Sequence, residues 1–345
     1  MDYLGRKTAL IGAIGSAIEA RTRPPARILD AFAGTGAVSS SLRALGYKVD
    51  ANDLLPLSAI WCTALLHGSA RSTFSSLSGE LKLFPGTRYL QVLDALNNIA
   101  PRTGWVTRNY SPASLKHSDV ERRYLTVANA RHIDAIREQL RKWKPTLSRA
   151  EYALLMSSLI DAVSRVSNIA GTYGSYLKEW KRSALKALTL EPIDFGRGST
   201  SGHSVTHVDA EIAVAESAAE VVYADPPYTK RQYAAYYHLL NTIATGEEPL
   251  LKGLTGLPNW REWSSDWCHM SKAQQALERL IGKSSSPHLL LSYSSDGHID
   301  HATVMDTMSM YGVVSFSETV RPRYRSSQLP HKGVVVLERL YAMSR

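Results

Sequence analysis

A chain of 345 residues, 44% hydrophobic and 21% charged, has the balance of an ordinary globular protein and enough length for a sizeable core. No apolar run reaches bilayer length, the first seven residues lack a signal-peptide shape, and Cys62 and Cys268 have neither disulfide-framework nor metal-ligand spacing; a cytoplasmic protein without a membrane partner is expected. Forty basic against 31 acidic residues leave a net charge of +9, which suits a polyanion without identifying one, since many basic proteins bind no nucleic acid.

In chain order, residues 3–20 carry Leu10, Ile14 and Ile18 at helical spacing. Pro24-Pro25 ends that helix, and Arg27–Phe32 reads as a short buried strand. A turn at Gly34 and Gly36 leads into a helix with Val38, Leu42 and Leu45 on one face. Gly46 ends it, and Tyr47–Asp53 is the next strand, completing a βαβ unit. Residues 56–204 show no strand–helix alternation. Ala128–Trp143 and Glu151–Val166 have helical periodicity, and Ser69–Ser78 and Gly196–Ser204 are loop-rich, so this stretch reads as a helical insertion. Val205–Val208, Val221–Ala224 and His288–Ser294 are short apolar runs suited to a parallel sheet. Val313–Val320 and Gly333–Tyr341, separated by a basic loop, predict an antiparallel pair closing it. The expected fold class is α/β: a Rossmann-like sheet (1–55 and 205–345) with an antiparallel closing hairpin, plus an inserted helical lobe (56–204).

Two motifs stand at strand ends. Asp30-Ala31-Phe32-Ala33-Gly34-Thr35-Gly36 joins strand to helix, where glycines let the backbone pass close under a ligand and the helix start offers free N–H groups. Ser39 stands where the dinucleotide fingerprint would have its third glycine, yet NAD-binding folds share much of the same logic. Asp53, ending the next strand, is placed to accept hydrogen bonds from ribose hydroxyls; a surface acid is the plain alternative. Asp225-Pro226-Pro227-Tyr228 directly follows Val221–Ala224. Taken alone it could be a Pro-Pro turn opened by Asp and packed by Tyr.

Asp225–Tyr228 resembles the Asp-Pro-Pro-Tyr motif of amino-methyltransferases acting on adenine. The adenine N6 lone pair is delocalised into its ring, so an acceptor at Asp225 and the Pro226 carbonyl would favour a pyramidal, reactive nitrogen. Pro226 and Pro227 stiffen the loop, and Tyr228 would stack on a base swung out of the duplex. The run 30–36 resembles the loop that grips the methionine end of S-adenosylmethionine. Tyr3-Leu4-Gly5-Arg6-Lys7 resembles the segment that precedes that loop in Dam-like adenine methyltransferases.

The order of these motifs, with a large insertion before Asp225, is similar to that of Dam-like N6-adenine DNA methyltransferases of restriction–modification type. The resemblance implies S-adenosylmethionine as cofactor, held by Tyr3, Lys7, Asp30, Phe32, Ala33, Gly34, Thr35, Gly36, Asp53, Asp209 and Asp225, with Asp209 facing the cofactor's adenine. It implies catalysis at Asp225, Pro226, Pro227 and Tyr228, and DNA contacts from Lys230, Arg231, Arg323 and Arg325. Double-stranded DNA is the expected partner, with a cognate restriction endonuclease acting separately, and no metal is expected because sulfonium methyl transfer needs none. Arg and aromatic residues also interleave in Trp105–Tyr124, Tyr176–Arg182 and Trp260–Trp267, which suits DNA contact or, more plainly, core packing. Two rivals stay open: a ribosomal RNA adenine-N6 methyltransferase, and a non-catalytic DNA-binding protein on the same scaffold.

Overall fold

The computed structural model describes residues 10–69, 72–322 and 335–345. The chain packs as two compact units: Thr63–Phe195 with Tyr233–Glu262, and the described parts of Leu4–Cys62, Gly196–Gln232 and Trp263–Arg345.

The second unit holds a seven-stranded sheet: β1 (Arg27–Asp30), β2 (Lys48–Asn52), β3 (Ser204–Thr206), β4 (Val221–Ala224), β5 (His288–Ser294), β6 (Val313–Pro322) and β7 (Val335–Ser344). Their order is β3-β2-β1-β4-β5-β7-β6. The first five are parallel, and β7 runs antiparallel between β5 and β6. The closing pair expected from Val313 onward is present, with β7 displaced toward the C-terminus.

Strand composition follows from position. Val222 and Ala224 of β4, Leu29 of β1, and Leu289 and Leu291 of β5 point to one face, where they meet the helices Ala210–Ala215, Ala273–Lys283 and His301–Ser309. Ile28, Val221, Tyr223 and Leu290 point the other way and are also buried. A strand covered on both faces has no reason to alternate with polar residues, so these segments read as near-continuous apolar runs.

The helix expected over 3–20 is observed as Ile11–Glu19, with Leu10, Ile14 and Ile18 buried. The helix Ala37–Ala44 ends with Gly46 at φ +92°. There the Tyr47 N–H reaches the Leu42 carbonyl and the Gly46 N–H reaches that of Arg43, a Schellman closure that glycine accommodates. Val38 and Leu42 are buried, but Leu45 is 43% exposed: it sits past the last helical turn, where the chain turns off the packed face.

The other unit is helical, built on Arg88–Asn97, Trp105–Tyr110, Val127–Trp143, Arg149–Val166 and His238–Thr245. Ser148 and Glu151 form a reciprocal capping box at the start of Arg149–Val166. Asp134 accepts the N–H groups of Gly104, Val106 and Thr107 and the Thr107 hydroxyl at 2.6–2.9 Å. It thereby supplies partners for donors that the start of the helix Trp105–Tyr110 would leave unpaired. Trp105, Tyr110 and Tyr124 are buried, so the aromatics of 105–124 fill the interior of this unit. Among the described residues no helix is long and apolar enough to cross a membrane.

Candidate active site

Four acids follow from the sheet's connectivity. Asp30 closes β1, Asp53 follows β2, Asp209 lies three residues after β3, and Asp225 directly follows β4. Because β1–β4 are parallel, all four stand at the same carboxyl edge. The strand order reverses between β1 and β4, and that switch point opens the crevice where α/β sheets bind ligands.

The loop after β1 is stitched to its neighbours. Ala31 N–H donates to the Tyr223 carbonyl at 2.9 Å and Ala33 N–H to that of Asn52 at 2.8 Å. Gly34 and Gly36 have φ of +53° and +72°, left-handed values that side chains disfavour. Gly34 N–H donates to Asp53 Oδ2 at 2.8 Å, and Leu55 N–H to Asp53 Oδ1 at 2.9 Å. Asp53 is thus aimed by two backbone donors, while each oxygen keeps a further lone pair for a ligand hydroxyl. Burial is the main cause that raises its pKa.

Asp30 is fully buried. Its Oδ2 accepts the Ser39 hydroxyl at 2.6 Å, and its Oδ1 has no hydrogen-bond partner. Burial holds its carboxyl up to about 7, opposed by the Ser39 bond and reinforced by the negative charges of Asp225 and Asp53. A buried carboxyl oxygen with nothing to bind is costly unless a proton or a cationic ligand group meets it. Burial first, and then the charges of Asp30 and Asp53, push the Cys62 thiol well up, so it is a poor nucleophile.

The remaining residues have distinct settings. Phe32 packs edge-on against Trp267, centroids 5.7 Å apart, and Ala33 is buried while Thr35 is partly exposed. Asp209 is exposed and starts the helix Ala210–Ala215, its Oδ1 accepting the Glu211 N–H at 2.8 Å. Pro226 is buried, and Asp225 and Pro227 are partly exposed. Tyr228 is partly buried, edge-on to Tyr293 with centroids 5.8 Å apart, and its carbonyl accepts the His298 N–H. Lys230 and Arg231 are exposed just beyond it. Tyr3, Lys7, Arg323 and Arg325 lie outside the described residues.

Three contributors escape a motif reading. Ser39, noticed in the sequence only as a missing glycine, orients Asp30. Asn52 ties three strand ends together: its amide donates to the Ala31 and Val208 carbonyls, and its Oδ1 accepts Val208 N–H and the Thr206 hydroxyl. A buried Asn immediately before a strand-end Asp was the available signal. Trp267, expected among DNA-contacting aromatics or in the core, is 4% exposed and backs Phe32. Among the described residues no three His, Cys, Asp or Glu side chains are grouped to hold a metal ion.

A 3-2-1-4-5-7-6 sheet with a glycine-bearing loop after its first strand and acids at successive carboxyl ends is the architecture of Rossmann-like methyltransferases. The chain belongs to the family of D12 class N6 adenine-specific DNA methyltransferases, which it matches over residues 3–305. It is similar to the modification methylase StsI of Streptococcus sanguinis, 33% identical over all of this chain and 52% of that protein. It is likewise similar to the type II methyltransferase M.FokI of Planomicrobium okeanokoites, 34% identical over 96% of this chain and 50% of that one. The type II methyltransferase M.NlaIII of Neisseria lactamica is 31% identical, with 100% of this chain and 99% of that one covered. The chain thus spans about half the length of the first two relatives and nearly all of the third.

Proposed function

We propose that this protein is a site-specific DNA methyltransferase that transfers a methyl group from S-adenosylmethionine to N6 of adenine in duplex DNA, as the modification partner of a separate restriction endonuclease. The observation that carries the reading is the gathering of Asp30, Gly34–Gly36, Asp53, Asp209 and Asp225–Pro227 at one carboxyl edge, in a chain of the adenine DNA methyltransferase family.

The residues present fit S-adenosylmethionine. Asp30 Oδ1, buried and unpartnered, suits a cationic ammonium. The loop at Gly34 and Gly36 lets backbone approach the methionine end, Asp53 retains acceptor capacity for ribose hydroxyls, and Asp209 stands beyond β3 for the adenine amino group. Tyr3 and Lys7 would complete the methionine end. When bound, the cofactor supplies an electrophilic methyl group on a sulfonium.

Asp225 and the Pro226 carbonyl act on the other reactant. Each accepts one N–H of the adenine amino group, which turns the nitrogen lone pair out of conjugation and orients it. Pro227 has no N–H to compete for those acceptors. Tyr228 stacks on the extruded base, offsetting the few kcal/mol that unstacking costs. Lys230, Arg231, Arg323 and Arg325 neutralise phosphates, and the helical unit reads the target sequence.

The test is transfer of radiolabelled methyl groups to genomic duplex DNA, with nucleoside analysis. N6-methyladenine is expected from the wild-type chain. Asp225→Ala should keep cofactor affinity within about threefold and lose on the order of a thousandfold in turnover, the size of effect seen when a group that stabilises developing charge is removed. Label in ribosomal RNA but not DNA, or normal turnover by Asp225→Ala, overturns the reading.

A further inference from the structure

Within the helical unit, one exposed turn is held by an unusually complete set of buried groups. Lys252 and Leu257 pair across it, with Lys252 N–H donating to the Leu257 carbonyl at 2.8 Å and Leu257 N–H returning the bond at 3.0 Å. The four residues between them all have captured carbonyls. Arg122 donates from Nη2 to Gly253 and from Nε to Leu254, at 3.1 and 3.2 Å. The Tyr124 hydroxyl donates to Thr255 at 3.0 Å, and the Tyr110 hydroxyl to Gly256 at 2.8 Å. Arg122 is 3% exposed, and both tyrosines are fully buried.

The backbone of the turn is fitted to this platform. Gly253 and Gly256 are left-handed, at φ +69° and +66°, and a Cβ at Gly256 would stand 2.8 Å from Arg122 Nε. What the platform presents is apolar: Leu254 is 72% exposed at the tip, and Leu250 is 90% exposed just before the turn. Exposed leucines are common on loops, but a leucine whose backbone is fixed from beneath by three buried side chains is unusual, because rigid display saves ordering entropy only when something binds.

Charge indicates the occupant. The remaining Arg122 donors go to the Asn109 carbonyl and the Ser118 hydroxyl, and among the described residues no carboxylate forms an ion pair with it. Its charge lies directly under the turn, with the exposed Lys252 beside it. An apolar tip over a cationic base matches a duplex, whose phosphates flank an apolar base stack, better than it matches an acid-poor protein surface. Apolar wedges of this kind enter base steps and unstack them.

We propose that the turn Lys252–Leu257 inserts into DNA, with Leu254 entering the base stack and holding open the step from which the target adenine leaves. This inference rests on the adenine methyltransferase reading and adds to it the residue that opens the duplex.

The experiment begins with the wild-type chain. Sequencing of DNA it has methylated locates the target site, and 2-aminopurine then replaces the target adenine in a short duplex. Fluorescence should rise several-fold on addition of wild-type protein, and equally with Leu185→Ala, a control at another exposed leucine of the same unit. Leu254→Ala should lose at least four-fifths of that rise and about tenfold in kcat/KM for DNA, with KM for S-adenosylmethionine unchanged. Leu254→Phe should restore most of the signal. A Leu254→Ala protein that brightens 2-aminopurine like the wild type overturns the wedge while leaving the methyltransferase reading intact. Absence of N6-methyladenine with the wild-type chain overturns both, and is seen before any variant is made.

Discussion

Replacing Asp30 by Asn separates the energetic burden of this carboxyl from its use. In the folded chain the group ionises near 7, against 3.8 in an exposed setting. Between those values the folded protein holds a proton that the unfolded chain has released, so stability falls as pH rises through the window and levels off above it. At pH 8 the burden is about 4 kcal/mol. The variant would keep the shape and the Ser39 contact but place an amide where Oδ1 has no partner, a pH-independent cost of about 1–3 kcal/mol. The clean quantity is therefore the difference between the two proteins at two pH values. From pH 5 to pH 8, Asp30→Asn should gain about 3 kcal/mol relative to the wild type, measured by urea unfolding with fluorescence detection. S-adenosylmethionine binding should weaken at least tenfold, and the proton that the wild type releases on binding at pH 6, read by calorimetry in two buffers, should vanish. An unchanged stability difference at the two pH values, or a loss for the variant at pH 8, would refute the account of Asp30 as a carboxyl kept protonated until a cation meets it.

Three further outcomes follow from the geometry. Gly36→Ala forces a side chain into the left-handed region at φ +72°, which should cost about 1–2 kcal/mol of stability and weaken cofactor binding in the same titrations. Asp134→Ala removes four bonds and strands the largely buried Arg137. A loss of about 3–5 kcal/mol is expected, seen as a lowered Tm, and a loss under about 1 kcal/mol would mean the helix start is satisfied otherwise. Burial depresses the His238 imidazole to about 4 while its Nε2 lies 2.9 Å from the Tyr173 carbonyl. It should stay neutral above about pH 5 by NMR titration, and the stability it supports should be lost as pH falls from about 6.5 through 4.

The legible parts of the fold were those that local chemistry determines. β4 and β5 were bounded correctly because a short all-apolar run between turn residues has one comfortable setting, the middle of a covered parallel sheet. The long helices were found within two residues by their periodicity. β7 was misplaced by its final residues because its extent is set by pairing with β5 on one side and β6 on the other, and sequence alone carries no register. Likewise Tyr233–Glu262 packs with the helical unit, a choice of partner that helical periodicity does not encode. At the site, Asp30, Asp53 and Asp225 were readable because each ends a recognisable strand. Ser39 and Asn52 were not, because their value lies in the one atom each turns toward a neighbour brought close by folding.

The strand order also sets a timetable for synthesis. β1 and β2 emerge together, yet the strands that flank them, β4 and β3, lie across an interval of about 150 residues. At ordinary elongation rates that interval lasts on the order of ten seconds, during which a two-stranded apolar ribbon waits on the ribosome with both edges unpaired. The helical segment made meanwhile depends mainly on nearby contacts and can condense early. A nascent chain therefore has a packed helical body well before it has a cofactor crevice, and arrest anywhere before β4 yields a body with no crevice at all.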